Sequence, residues 1–269
     1  MGRIAQTFKR LRWEKEAALI PYLTVGYPSL EVTRQLVPVM ARQGADLIEL
    51  GVPFSDPIAD GATIQRASHA ALENGVTLGD CLTVAAEARR ANEVPLVLMS
   101  YYNPIHKYGV ERFAADCGAS GVDGVIVPDL PPEEAGELKE ACGEKGVDLI
   151  FLVAPTSTDE RLKRVAEMAS GFIYCVAVAG VTGARAEVSE GVADLIARVR
   201  EHTGLPLVVG FGLSTPEHVA KVSQIAEGAV VGSAMVNLIE GLDEEELVGG
   251  VAEFVRELKE ATKKIEVRN

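Results

Sequence analysis

LIPYLTVGYPSLEVTRQLVPVMARQGADLIEL, residues 19–50, holds one full period of the pattern that decides the fold. It opens on a short apolar run, Leu19–Val25, passes through an amphipathic stretch from Ser29 to Gln43, and closes on a second run, Asp46–Leu50. A strand covered on both faces is apolar throughout, so short apolar runs alternating with longer stretches of helical period read as parallel strand-helix-strand units. The same kind of run recurs at Pro95–Met99, Gly124–Val127, Asp148–Val153, Phe172–Val176, Pro206–Val209 and Gly228–Val231. Helical stretches between them include Pro132 to Lys145, Thr158 to Met168, Val188 to Glu201 and Pro216 to Ile225. Eight such strands with intervening helices close into a (β/α)8 TIM barrel, an α/β fold that fits in 269 residues as a single domain spanning 1–269. An additional amphipathic stretch, Ile4 to Lys15, is expected to cover the barrel bottom as an extra N-terminal helix, and Asp243 to Lys264 to supply the last helix. An open doubly wound sheet would place a glycine-rich nucleotide fingerprint after the first strand, and none stands there.

Composition narrows the function. A hydrophobic fraction of 48% with 24% charged residues supplies a sizeable core, which excludes disorder. A net charge of −13 without any basic run argues against nucleic acid, which binds chiefly through clustered Lys and Arg. It does not argue against a small phosphate, because backbone amides and helix N-termini supply local positive potential. Cys81, Cys117, Cys142 and Cys175 are widely spaced, without C-x-x-C pairs or a nearby His, and read as reduced thiols. The N-terminus carries no apolar leader and no segment approaches the roughly 20 apolar residues of a membrane span, so a cytoplasmic location is expected.

In a barrel of this kind the active site is built from the loops after the strands' C-terminal ends. Three glycine-bearing turns fall there, Val181-Thr182-Gly183, Gly210-Phe211-Gly212 and Gly232-Ser233, and a short helix beginning near Ser233 would add its N-terminal dipole. Together they suggest a phosphate site. Glu49 lies within an otherwise apolar strand, where an unpaired carboxylate is costly, and no Lys or Arg occurs in any predicted strand to neutralise it. It is the first catalytic candidate. Asp60 follows in a loop long enough to fold back over the mouth, although it could equally cap a helix starting near Ala62. Tyr22, Tyr101, Tyr174 and Phe211 lie near the rim and could form a slot for a flat ring or serve as core. Every Lys falls in a predicted helix or loop, which disfavours imine chemistry. His69, His106, His202 and His218 are placed on helices or in the loop after the third strand, with no metal-ligand clustering. What remains is acid-base chemistry by carboxylates on a substrate that can delocalise electrons itself.

At Glu49-Leu50-Gly51-Val52-Pro53-Phe54-Ser55-Asp56-Pro57-Ile58-Ala59-Asp60-Gly61-Ala62-Thr63-Ile64-Gln65 the chain resembles the tryptophan synthase alpha chain family. The resemblance extends over nearly the whole length, through Pro21–Pro28, Pro128–Pro131, Ala179–Gly183 and Val209–Ser214. It implies reversible retro-aldol cleavage of indole-3-glycerol phosphate to indole and glyceraldehyde 3-phosphate. Glu49 would then be the general acid-base, and Asp60 would hold the indole N–H. By the same resemblance Tyr174 sits near Glu49, Tyr22, Met99, Ile126 and Phe211 line the ring pocket, and Gly183, Gly212, Gly232 and Ser233 hold the phosphate. Thr182 would tether a closing loop, Val181 to Val188, to Asp60. The family works with a pyridoxal-phosphate β chain, expected in an alpha2beta2 tetramer, and no cofactor is expected in this chain. Candidate contacts to that partner are rim-loop residues: Pro53, Asp56 and Pro57, then Asn103 and Pro104, then Asp129, Pro131 and Pro132. Two positions depart from many family members, Tyr22 in place of Phe and Ala177 in place of Ser.

Other readings share the barrel. A sugar-phosphate isomerase would want carboxylates ending strands one and five, where the chain has Thr24-Val25-Gly26 and Val153-Ala154-Pro155. A free-standing lyase and a regulatory subunit with negligible turnover of its own are the remaining possibilities.

Overall fold

A computed structural model describes residues 1–177, 190–210 and 212–264. Helix α1 (Arg3–Glu14) precedes strand β1 (Ala18–Thr24), followed by α2 (Leu30–Arg42), β2 (Ile48–Gly51), α3 (Ala62–Glu73), α4 (Leu78–Ala91) and β3 (Leu96–Met99). Next come α5 (Tyr102–Tyr108), α6 (Val110–Ala119), β4 (Gly124–Ile126), α7 (Gly136–Glu144), β5 (Asp148–Val153), α8 (Asp159–Met168) and β6 (Ile173–Val176). The chain continues through α9 (Glu190–Arg200), β7 (Leu207–Gly210), α10 (Pro216–Ile225), β8 (Gly228–Val231), α11 (Ser233–Gly241) and α12 (Glu244–Glu260). All eight strands are parallel and pair in chain order, β8 returning to β1, so the sheet closes into a barrel. Local chemistry sets the helix starts. Ser29, Thr77, Thr158 and Thr215 each accept a backbone N–H of the first turn through their side chains, and Thr77 with Asp80 completes a capping box.

Several boundaries differ from the sequence expectation. The helix expected from Pro132 begins at Gly136, because Pro131 to Glu134 form a turn instead. Asn103 and Pro104 lie within α5 rather than in an open rim loop. The C-terminal stretch ends its helix at Glu260, short of Lys264. His202 sits in the turn that follows α9, not on a helix.

Alternation along each strand separates two cores, as a closed pleated sheet demands. Leu19, Leu23, Ile48, Leu50, Leu96, Leu98, Phe151 and Val209 point outward and pack under the helix ring. Ile20, Tyr22, Leu47, Val97, Ile126, Ile150, Tyr174, Val208 and Val230 point inward and fill the lumen. Helix α1 plugs the lower end with Ile4, Phe8 and Leu11, all buried in that inner cluster, Phe8 meeting Phe172 at 5.9 Å between ring centroids. Each of these side chains contributes roughly 1.5–3 kcal/mol by leaving water.

The lower rim is fastened by one device used four times. Just before each even-numbered strand a side-chain oxygen accepts an N–H from the first or second residue of the preceding odd strand. Asp46 accepts from Leu19 at 3.0 Å, Asp123 from Leu96 at 2.9 Å, Ser170 from Leu149 at 2.9 Å and Glu227 from Leu207 at 2.9 Å. Cations neutralise the three acids. Asp46 meets Arg10 and Lys259, each at 2.8 Å; Asp123 meets Arg89 at 2.6 Å and Arg3 at 3.2 Å; Glu227 meets Arg200 at 2.7 Å. The bottom is thereby a fixed frame, and the long loops are left to the top.

Removing one such acid strands a strand-end N–H and a largely buried Arg89. Asp123→Ala is therefore expected to lower the free energy of unfolding by about 3 kcal/mol in urea titration, while the activity per folded molecule is unchanged.

Candidate active site

Glu49 lies on β2 two residues beyond Leu47 of the inner cluster, and its neighbours across the sheet are Tyr22 on β1 and Val97 on β3. Only 2% of it is exposed. Among the described residues no cation pairs with it, which removes the structural role of a carboxylate held by a lumenal salt bridge. Burial, followed by the nearby Asp60, pushes its pKa from the usual 4.5 up to about 8.

Asp60 reaches the same slot from the loop between β2 and α3. It does not cap α3: the cap position is Gly61 and receives no side-chain bond. Instead the Tyr101 hydroxyl donates to Asp60 Oδ2 at 3.1 Å while accepting the Ala59 N–H at 2.9 Å. The loop is held further by Gln65 Nε2 on the Asp60 carbonyl at 2.9 Å, and by Ser68, whose hydroxyl accepts the Phe54 N–H at 2.9 Å. Phe54 stacks on the Tyr101 ring at 5.0 Å. Burial raises the Asp60 pKa to about 6, and the bond from Tyr101 opposes that rise. At neutral pH one carboxyl is thus protonated and its neighbour ionised.

The slot itself is about 50 Å³, within a mouth of about 510 Å³ that opens to solvent. Tyr22, Met99, Ile126 and Tyr174 line it, as the sequence suggested, with Gly212, Gly232 and Ser233 at the same opening. Ile64, Leu152 and Val230 also line it and were not foreseen; the inward parity of β5 and β8 is the signal that could have found the latter two. Tyr101 is not a wall of the slot but the donor that holds Asp60. Gly210 has a packing reason to be glycine, since a Cβ there would overlap the Tyr174 hydroxyl. Gly51 makes the same room for the Tyr22 hydroxyl, which bonds to Thr24 Oγ1 at 3.1 Å. Gly232 is different: apart from its chain neighbours, a Cβ there would come no nearer than 3.7 Å to a described atom, which leaves open space at the mouth. Ser233 opens α11 beside it. Burial keeps the Tyr22 and Tyr174 phenols neutral, their pKa values well above the usual 10. Thr182, Gly183, Phe211 and the loop from Val181 to Val188 lie outside the described residues.

On the rim, Asp56, Asn103 and Asp129 are exposed, whereas Pro53, Pro57 and Pro132 are buried and Pro104 and Pro131 intermediate. The buried prolines shape the loops from beneath rather than forming their surface. Ile58, 84% exposed on the Asp60 loop, is an apolar surface residue that the sequence reading passed over.

A carboxylic acid and a carboxylate in one slot can give a proton at one atom of a ligand and accept a hydrogen bond at another, so fold and site define a barrel enzyme of the acid-base class. Comparison with known proteins places it more closely. Residues 8–263 match the family described as tryptophan synthase alpha chain. Similar curated proteins include the tryptophan synthase alpha chain of Roseiflexus castenholzii, 55% identical over 260 residues that cover 96% of this chain and 100% of that one. That of Chloroflexus aggregans is 52% identical over 266 residues, covering 98% and 100%. Among solved structures, tryptophan synthase from M. tuberculosis in an open form superposes with a TM-score of 0.90 at 36% identity, covering 98% of this chain and 100% of that one. The alpha subunit from Legionella pneumophila gives a TM-score of 0.88 at 34% identity, covering 98% and 100%.

The chain belongs to the tryptophan synthase alpha chain family. It is a carbon-carbon lyase of tryptophan biosynthesis, cleaving indole-3-glycerol phosphate to indole and glyceraldehyde 3-phosphate, in a family that works with a β chain. The isomerase and free-standing readings are not favoured.

The buried acid has a cost that depends on pH. The folded protein keeps the Glu49 proton up to about pH 8, whereas an ordinary glutamate releases it near 4.5, so stability falls as pH rises through that window, by up to about 5 kcal/mol. Glu49→Gln is expected to match the wild type in chemical denaturation at pH 5 and to exceed it clearly at pH 8. A stability difference that does not change with pH would show that Glu49 is ionised in the folded state.

Proposed function

We propose that Glu49 performs both proton transfers of the cleavage and that Asp60 stabilises the charge they create. Protonated Glu49 donates to C3 of the indole ring, and the ring nitrogen supplies electrons to C2, leaving positive charge on the N–H that Asp60 accepts. The bond from C3 to the glycerol carbon then breaks toward the ring, restoring the aromatic system. The glycerol hydroxyl proton passes to the Glu49 carboxylate as its carbon becomes the aldehyde of glyceraldehyde 3-phosphate. Glu49 ends protonated, ready for the next turnover. The indole ring is the electron sink, so the reaction needs no resident cofactor; pyridoxal phosphate belongs to the partner β chain.

Gly212, Gly232 and Ser233, at the N-terminus of α11, receive the phosphate, with Gly183 completing the grip by family resemblance. The ring lies among Tyr22, Met99, Ile126 and Tyr174, and family resemblance adds Phe211, outside the described residues. Thr182 fastens the Val181–Val188 loop to Asp60 once substrate is bound. A β chain docks on the face presented by Asp56, Ile58, Asn103 and Asp129, and two such pairs assemble as an alpha2beta2 tetramer in the cytoplasm. The chain acts as a single domain.

The observation that carries the assignment is that two carboxyl groups, Glu49 on the barrel wall and Asp60 on a loop, line one slot, where burial raises the pKa of each and raises that of Glu49 further. Activity then requires Asp60 ionised and Glu49 protonated, so kcat/KM is expected to be bell-shaped, with limbs near pH 6 and pH 8. Tyr101→Phe removes the donor that favours ionised Asp60 and should move only the acidic limb, to higher pH. Glu49→Gln should abolish indole release without unfolding the chain. Wild-type turnover in that variant, or a pH profile flat from 5 to 9, would refute the roles assigned.

A further inference from the structure

The lower face of the barrel, opposite the catalytic mouth, carries a second cavity of about 600 Å³. It lies between α1, the end of α7, the start of β5 and the segments that lead into β6 and β7. This is the one quarter of the rim where Ser170 stands in place of a carboxylate latch. Elsewhere the cations reaching the rim are matched, Arg10 to Asp46, Arg3 to Asp123 and Arg200 to Glu227. Here Lys9 and Arg12 line the cavity from α1 with no acidic partner among the described residues, in a protein of net charge −13. Lys139 adds a third cation from α7, its Nζ donating to the Glu167 carbonyl at 3.1 Å.

One acid shares the cavity. Asp148, at the start of β5, is half-buried and forms no ion pair with Lys9, Arg12 or Lys139. Positive and negative ends therefore stand apart in a single cavity. A pure anion would face the Asp148 carboxylate there and a pure cation would face three basic side chains, whereas a ligand with both charges satisfies both ends. Phe8, Val147, Leu149 and Pro206 supply the apolar wall.

We infer that this cavity binds a zwitterionic α-amino acid with a large apolar side chain, its carboxylate on Lys9 and Arg12, its ammonium on Asp148, and its side chain against the apolar wall. The ligand adds a charged tie between α1 and the start of β5, in the quarter where the Ser170 latch carries no charge.

Isothermal titration of the intact chain with L-phenylalanine and L-leucine tests this, with 3-phenylpropionate as the analogue lacking the ammonium and 2-phenylethylamine as the one lacking the carboxylate. Both analogues are expected to bind at least tenfold more weakly than L-phenylalanine. The double variant Lys9→Ala, Arg12→Ala should lose at least tenfold in L-phenylalanine affinity while releasing indole at the wild-type rate, since neither residue lines the mouth. Asp148→Asn should weaken L-phenylalanine but strengthen 3-phenylpropionate, a reversal that loss of packing would not produce. Absence of binding at millimolar amino acid, equal affinity for 3-phenylpropionate and L-phenylalanine, or unchanged affinity in the double variant would each overturn the proposal.

Discussion

A carboxyl group sealed inside an apolar lumen without a cation keeps its proton at neutral pH, and Glu49, with no cation beside it among the described residues, is held in that condition by its place on β2. The barrel makes the condition possible. Inward parity puts Glu49 above Leu47 and among Tyr22, Ile126 and Tyr174, where water has little access. The cleavage requires a proton donor of that kind facing a ring carbon. Asp60 is the complement, a carboxyl on a loop rather than a strand, partly solvated and steadied by the Tyr101 hydroxyl, so it remains an anion beside a neutral acid. Two identical functional groups differ in role because one is on the wall and the other on the lid of the same slot.

The two ends of the barrel divide the labour. At the bottom, side chains are matched to strand-end amides and to cations, and α1 closes the lumen with Ile4, Phe8 and Leu11. At the top, groups are left unmatched: among the described residues Glu49 has no cation, and Gly232 has no side chain where one would fit. Rigidity below permits such unsatisfied chemistry above, because the strands that carry it cannot shift to relieve it. The quarter of the bottom that breaks the pattern, around Ser170, borders a cavity of about 600 Å³ and two cations without an acidic partner among the described residues.

Much of this was legible in residue order. The alternation of short apolar runs with amphipathic stretches named the barrel, because buried parallel strands and their covering helices have different periods. Glu49 stood out as an acid within such a run. Asp60 did not stand out from spacing alone, since an Asp before a helix is usually a cap; only family resemblance singled it out, and the fold shows the cap position one residue later. The bond from Tyr101 to Asp60 spans 41 residues of chain, a closeness no local pattern encodes. Gly210 reads in residue order as a turn or phosphate glycine, and only the Tyr174 hydroxyl against it supplies the packing reason. The latch acids were within reach of the sequence, as Asp46, Asp123 and Glu227 each stand just before an apolar run, but their partners are amides on the neighbouring strand.

The central claim is that the two carboxyl groups titrate apart and in a fixed order, which NMR of the side-chain carboxyl carbons can follow directly in the ligand-free chain. The account predicts that the Glu49 signal shifts with a midpoint near pH 8 and the Asp60 signal near pH 6. Midpoints for both below about pH 5, the range of ordinary exposed carboxylates, would contradict it.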